Sequence, residues 1–250
     1  MIMMNIKESV ERYMERRGCR SMQCRAALID MDGVLYDSMP HHAEAWYRTI
    51  APLGIACTRE DFFLLEGSTR TRTINMFFNR EYGHDAPEEV SLALYEEKVR
   101  QFRALGDAER MPGADVMIER LLSSGVRTVL VTGSSQGTLL ELLDTDYPRA
   151  FNMPYRITGE DVKHGKPSPE PYLMGLQRAG VEAHEAIVIE NAPLGVQAGV
   201  AAGVFTVAVN TGPIPAQALY DAGADIVFDS MPQFATHIGE LIETINAMGV

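Results

Sequence analysis

Apolar residues in this chain fall into short continuous runs, separated by longer stretches in which they recur at helical spacing. The runs at 26–29, 127–131, 155–157, 186–190, 204–209 and 226–228 are predominantly apolar rather than strictly alternating, the pattern of strands buried on both faces of a parallel sheet. Helical periodicity fills 116–123, about 138–143, the stretch ending at 179, 194–201, 216–222 and 233–247. Alternating β and α units predict an α/β fold in which a parallel sheet is flanked by helices and linked by right-handed crossovers.

One interval breaks that rhythm. From Ser38 to Arg110 every signal is helical: Ala43 to Tyr47, Asp61 to Leu65, Thr73 to Phe78, then Leu92, Leu94, Tyr95, Val99 and Phe102. A small helical bundle inserted after the first strand accounts for this. Met111-Pro112-Gly113 punctuates the return. The expected organisation is a core of 26–37 and 111–250, a helical insertion of 38–110, and an N-terminal leader of 1–25. That leader is either a short helix or disordered and carries no assigned function; Met22, just before the first strand, is a second candidate start.

The chain has 250 residues, is 46% hydrophobic and 22% charged, and carries a net charge of -12. Nucleic acid and anionic membrane surfaces are poor partners for such a charge, since binding them runs on basic patches. No apolar run approaches the roughly 20 residues that cross a bilayer, and no secretory h-region precedes the first strand. Cys19, Cys24 and Cys57 show no metal-like spacing. A reduced, cytoplasmic protein, monomeric or a small homo-oligomer, is the simplest expectation.

The chemistry gathers at strand ends. Asp30-Met31-Asp32-Gly33 follows the first strand and holds two carboxylates at the rim where open α/β sheets bind ligands. Like charges so close repel, and burial raises that cost, so a divalent cation with a phosphoryl group is the natural relief. An ordinary acidic loop is the alternative. Three further loops leave strands at the same rim. Thr132-Gly133-Ser134-Ser135 offers a hydroxyl and loop amides that can cradle phosphate, or simply cap a helix. Lys166 sits in Gly165-Lys166-Pro167-Ser168-Pro169, where the prolines stiffen the backbone that aims it. Glu190-Asn191 delivers a carboxylate and an amide together, the latter an oxygen ligand for a hard cation or a helix cap.

These four loops, in this order, resemble the haloacid dehalogenase (HAD) phosphohydrolase superfamily, with an HAD-like Rossmannoid core. The insertion resembles the helical cap of its β-phosphoglucomutase-like branch. The resemblance implies that Asp30 is the nucleophile that becomes an aspartyl-phosphate and Asp32 the general acid/base. Thr132 would bind the transferring phosphoryl group, with Gly133 and Ser134 beside it, and Lys166 would neutralise charge. Mg²⁺ would be held by Asp30, the backbone carbonyl of Asp32, and Asn191, with Glu190 behind them.

Two departures from the branch pattern stand out. Motif four usually carries two acids, and here the second is Asn191. Glu66, in Leu65-Glu66-Gly67-Ser68-Thr69-Arg70, stands where the mutases carry a lysine. A carboxylate lost from the core and regained on the cap reads as compensation: Glu66 becomes a metal ligand when the cap shuts, which favours a very small substrate. With the segment Ser38 to Trp46, these features resemble the inorganic pyrophosphatases of the HAD type from Bacteroides. His42 and Lys98 match a hinge-side pair that couples the acid/base aspartate to the cap, although a cap-helix histidine and a solvated lysine are equally open. Arg70 and Arg72 are candidates for the distal phosphate, and Trp46 reads as cap core.

The expected activity is Mg²⁺-dependent hydrolysis of pyrophosphate, a small phosphorylated substrate. The alternatives are a phosphosugar phosphatase or β-phosphoglucomutase, against which Glu66 argues, and a non-catalytic phosphate-binding protein.

Overall fold

The computed structural model describes residues 5–133 and 137–249, without the side chains of residues 137 and 138. Six strands form one sheet: β1 (Ala26–Ile29), β2 (Arg127–Val131), β3 (Arg156–Ile157), β4 (Ala186–Glu190), β5 (Phe205–Val209) and β6 (Ile226–Phe228). Their order is β3-β2-β1-β4-β5-β6 and every pairing is parallel. The helices are α1 (Ile6–Arg17), α2 (Met39–Ile50), α3 (Arg59–Leu64), α4 (Arg70–Tyr82), α5 (Glu88–Ala104), α6 (Ala114–Ser123), α7 (Gly137–Asp146), α8 (Glu170–Ala179), α9 (Pro193–Ala201), α10 (Ala216–Asp221) and α11 (Met231–Ala247).

The period of two along β1 divides the core. Ala27 and Ile29 pack with α1, α6 and α11, while Ala26 and Leu28 pack with α8 and α9. Both faces of the strand are therefore dry, which is why its sequence is apolar throughout. Connections wind outward from β1 in both directions, so the switch in strand order falls between β1 and β4. Register finishes the job. Ile29 sits level with Leu130 and with Ile189, and the Asp30 N–H donates to the Ile189 carbonyl at 3.0 Å. One residue beyond, Asp30, Val131 and Glu190 reach the rim together.

Helices α2 to α5 enclose an apolar centre of their own, built from Ala43, Ile50, Phe62, Ile74, Phe77 and Phe78. Ala45 and Phe102 belong instead to the central core, so the base of the insertion is continuous with it.

Residues 6–17 adopt the helical alternative, and they pack as core. Ile6, Val10 and Tyr13 line one helical face and are buried. The Tyr13 hydroxyl donates to the Gly203 carbonyl at 2.8 Å, and Arg16 pairs with the buried Asp225 at 2.9 Å. Among the described residues no helix is long and apolar enough to cross a membrane.

Candidate active site

Asp30 is 4% exposed and Lys166 2% exposed, and their side chains meet at 2.5 Å. Lys166 Nζ also donates to the Val131 carbonyl at 3.1 Å and pairs with Glu190 at 2.6 Å. Glu190 is fully engaged. Its Oε1 accepts from the Tyr172 hydroxyl at 2.5 Å, and Oε2 accepts from the Asn191 N–H at 3.1 Å. A Cβ on Gly195 would collide with this carboxylate, so α9 carries a glycine there for space. Lys166 is thus held between two acids, and their charges outweigh the effect of burial to keep it protonated.

Asp32 has different company. Its Oδ1 accepts from the Ser38 hydroxyl at 2.6 Å and faces His42 Nε2 at 3.0 Å. Behind the imidazole, Lys98 Nζ lies 2.7 Å from His42 Nδ1. Burial and the neighbouring ammonium push His42 below its usual range, so the ring is neutral. Lys98 then donates to Nδ1 and Nε2–H donates to Asp32. Burial alone would raise Asp32, but His42, Ser38 and Lys98 together hold it below the ordinary carboxylate range. Lys98 is only 3% exposed, and burial brings it down to about 8. The reading of this lysine as solvated is therefore wrong.

Glu66 comes down from the insertion, 8% exposed, and both its oxygens accept from Asn191 Nδ2, at 3.0 and 2.9 Å. Gly33, at φ +75°, lies beneath them, and a Cβ there would overlap the Asn191 amide. Burial, then the nearby Asp30, raises Glu66 well above its usual range. Burial likewise raises Asp30, to about 8. Four buried acids, Asp30, Asp32, Glu66 and Glu190, share two ammonium groups, Lys98 and Lys166, so two of the acids have no cation of their own.

Asn191 Oδ1 is buried with no hydrogen-bond partner among the described residues. Among those residues no group of three or more His, Cys, Asp and Glu side chains is arranged to hold a metal by itself. An orphaned amide oxygen beside under-neutralised carboxylates is nonetheless the donor set that suits a hard divalent cation.

Asp30, Asp32, His42, Trp46, Glu66 and Lys98 line a cavity of about 110 Å³. Thr132, buried at the end of β2, and Lys166 line a neighbouring cavity of about 250 Å³. Gly133 and Arg70 border both, but the Arg70 guanidinium is committed to Glu88 at 2.7 Å. Arg72 is exposed and borders neither cavity. Ser134 lies outside the described residues. Ser38 and Tyr172 are contacts that residue type did not reveal. Ser38 precedes a helix, where serine ordinarily reads as a cap, and nothing in sequence marks Tyr172 beyond its place two residues past Glu170.

The sequence pattern of haloacid dehalogenase-like hydrolases matches residues 24–203. Hexitol phosphatase A of Escherichia coli is 30% identical over 85% of this chain and 94% of its own. The phosphorylated carbohydrates phosphatase of Thermotoga maritima is 30% identical over 80% of this chain and 91% of its own. A solved structure from Bacteroides vulgatus, named as a candidate β-phosphoglucomutase, is 45% identical, covers 98% of both chains and superposes with a TM-score of 0.91. Motif order, sheet topology and these likenesses agree, and the chain belongs to the haloacid dehalogenase-like hydrolase family.

Proposed function

We propose that the chain is a Mg²⁺-dependent phosphohydrolase of compact phosphorylated substrates, working through an aspartyl-phosphate on Asp30. The observation that carries this reading is the contrast between two neighbouring carboxylates. Asp30 contacts an ammonium directly at 2.5 Å, whereas Asp32 is held through an imidazole and a hydroxyl on one oxygen. Environments that separate two acids in this way assign them different roles.

In this mechanism Asp30 attacks phosphorus while Lys166 neutralises charge on the attacking carboxylate and the phosphoryl oxygens. Asp32 serves the leaving group in the first half-reaction and takes a proton from water in the second. Thr132 and the amides at Gly133 position the phosphoryl group. Asp30, Asn191 Oδ1, Glu66 and the backbone carbonyl of Asp32 would hold the cation, which when bound supplies charge neutralisation for in-line transfer. Helices α2 to α5 act as the cap that excludes water.

Pyrophosphate is the first reading of the substrate, and two features of the site support it. Glu66 reaches down from the insertion to Asn191, and the cavity beside it is small, which suits a compact substrate. Asp32, held below the ordinary carboxylate range, suits a leaving group that departs without full protonation, such as phosphate. Hydrolysis of a sugar phosphate is the second reading. The names of the two bacterial phosphatases favour it over pyrophosphate, and the neighbouring cavity of about 250 Å³ gives room for a polyol.

Phosphate release from pyrophosphate, hexitol phosphates and hexose phosphates, each with Mg²⁺ titrated, decides between them. Pyrophosphate should give the highest kcat/KM, and a hexitol phosphate ahead by tenfold or more would replace the first reading with the second. Asp30→Asn should silence every substrate; equal turnover by that variant would end the aspartyl-phosphate scheme. No turnover by the parent of any substrate would leave the phosphate-binding alternative.

A further inference from the structure

Two adjacent rings on α3 point to different bodies of the protein. Phe62 is buried in the apolar centre of the insertion. Phe63 packs against that centre too, but also against the cluster of Val196, Ala208, Ile214 and Leu219 beneath β5 and α10. Among the described residues, Phe63 alone belongs to both.

Its landing point is Gly212. A Cβ built there would lie 3.3 Å from Phe63 Cδ1, tight enough that the ring would have to give by a few tenths of an ångström. Gly212 is not among the positive-φ glycines, so close approach of the ring, not backbone conformation, is what the glycine serves. The receiving loop is braced. Asn210 Nδ2 donates to the Ile214 carbonyl at 3.1 Å, and the Thr211 hydroxyl donates to the Gly33 carbonyl at 2.7 Å. Phe63 therefore docks on a loop tied directly to the one that carries Asp30 and Asp32. On its own side, the Glu66 N–H reaches the Phe63 carbonyl at 3.4 Å, which closes a turn between the ring and the carboxylate.

We propose that Phe63 is a positioning residue: its seat on Gly212 sets the Glu66 carboxylate against Asn191 and so fixes the closed site's hold on its divalent cation. An apolar ring spanning a rigid loop has few poses, whereas a glutamate on a turn before Gly67 has many. Seating the ring removes that freedom before any ligand binds. The inference rests on the proposed metal role of Glu66 and is separable from the identity of the substrate.

The test is a double-mutant cycle on Phe63→Ala and Glu66→Ala, read by Mg²⁺ titration of both turnover and the emission of Trp46, the chain's single tryptophan, which lines the site cavity. Phe63→Ala should raise the Mg²⁺ constant by roughly tenfold, a larger change than in kcat at saturating Mg²⁺, and Phe63→Leu should recover most of it. Because Phe63 acts through Glu66, the double variant should bind Mg²⁺ no more weakly than Glu66→Ala alone. Gly212→Val, which displaces the ring from the core side, should reproduce the shift and serves if Phe63→Ala does not fold. An unchanged Mg²⁺ constant in Phe63→Ala or Gly212→Val, or full additivity with Glu66→Ala, overturns the inference. So does a Glu66→Ala variant with unaltered Mg²⁺ binding, while Asp30→Asn judges the phosphohydrolase reading on its own.

Discussion

Restoring an acid at motif four gives the most demanding test of the site. Asn191→Asp removes the amide that donates to both oxygens of Glu66 and puts a carboxylate in its place. Losing hydrogen bonds to a buried carboxylate costs about 1.5–3 kcal/mol. Two like charges roughly 3 Å apart repel by about 5 kcal/mol at an effective dielectric of 20, an upper bound that protonation of one carboxyl relieves. Without Mg²⁺ the variant should therefore be about 2–4 kcal/mol less stable, which lowers Tm by roughly 5–12 °C for a chain of this size. Saturating Mg²⁺ should reverse the order, because the new carboxylate binds the cation; ligand at 100 times its Kd stabilises by about 2.7 kcal/mol. Calorimetric scans of parent and variant across a Mg²⁺ series measure the difference. A Tm gap that is the same at every concentration would refute the assignment of Asn191 to the metal, and no gap without Mg²⁺ would refute the Glu66–Asn191 contact.

Other expectations are narrower. Lys98 titrates near 8 in the fold and near 10.5 when unfolded. Between those values the unfolded chain binds the extra proton, so this residue makes stability rise with pH by up to about 3 kcal/mol. Denaturant unfolding from pH 7 to 10.5 should show that component in the parent and lose it in Lys98→Met; identical pH slopes would count against the buried ammonium. Tyr172→Phe leaves Glu190 Oε1 with Lys166 only, and should cost about 1–3 kcal/mol of stability and lower kcat more than it raises KM. Tyr13→Ala empties a fully buried site on α1 and should cost about 3–5 kcal/mol in urea unfolding, where a detachable leader would cost nothing.

Much of the candidate site was legible because its chemistry is carried by short segments at strand ends. Short apolar runs alternating with helical stretches read as buried strands of a parallel sheet, and a parallel sheet delivers all its C-terminal ends to one edge. The approximate meeting of Asp30, Thr132, Lys166 and Asn191 follows from pattern and order alone. Residues 1–25 were less legible, since a polar dodecamer with one apolar stripe is helical only when something covers that stripe, and here α11 and β5 do. Lys98 shows the same limit: Tyr95-Glu96-Glu97-Lys98 reads as solvated, and only the packing of α5 on α2 shows that its last residue is buried against His42.

The amino-acid order by itself determined the layered α/β architecture, the inserted helices and the strand-end loops whose motifs resemble those of the family, because periodicity and short motifs are local properties. Tertiary structure alone decided which acid pairs with which cation, that Glu66 reaches Asn191, and that Phe63 spans the two bodies. The contact of Glu66 with Asn191 joins residues 125 positions apart, and the energies of such buried contacts depend on desolvation, a quantity no stretch of sequence possesses until the rest of the chain has closed around it.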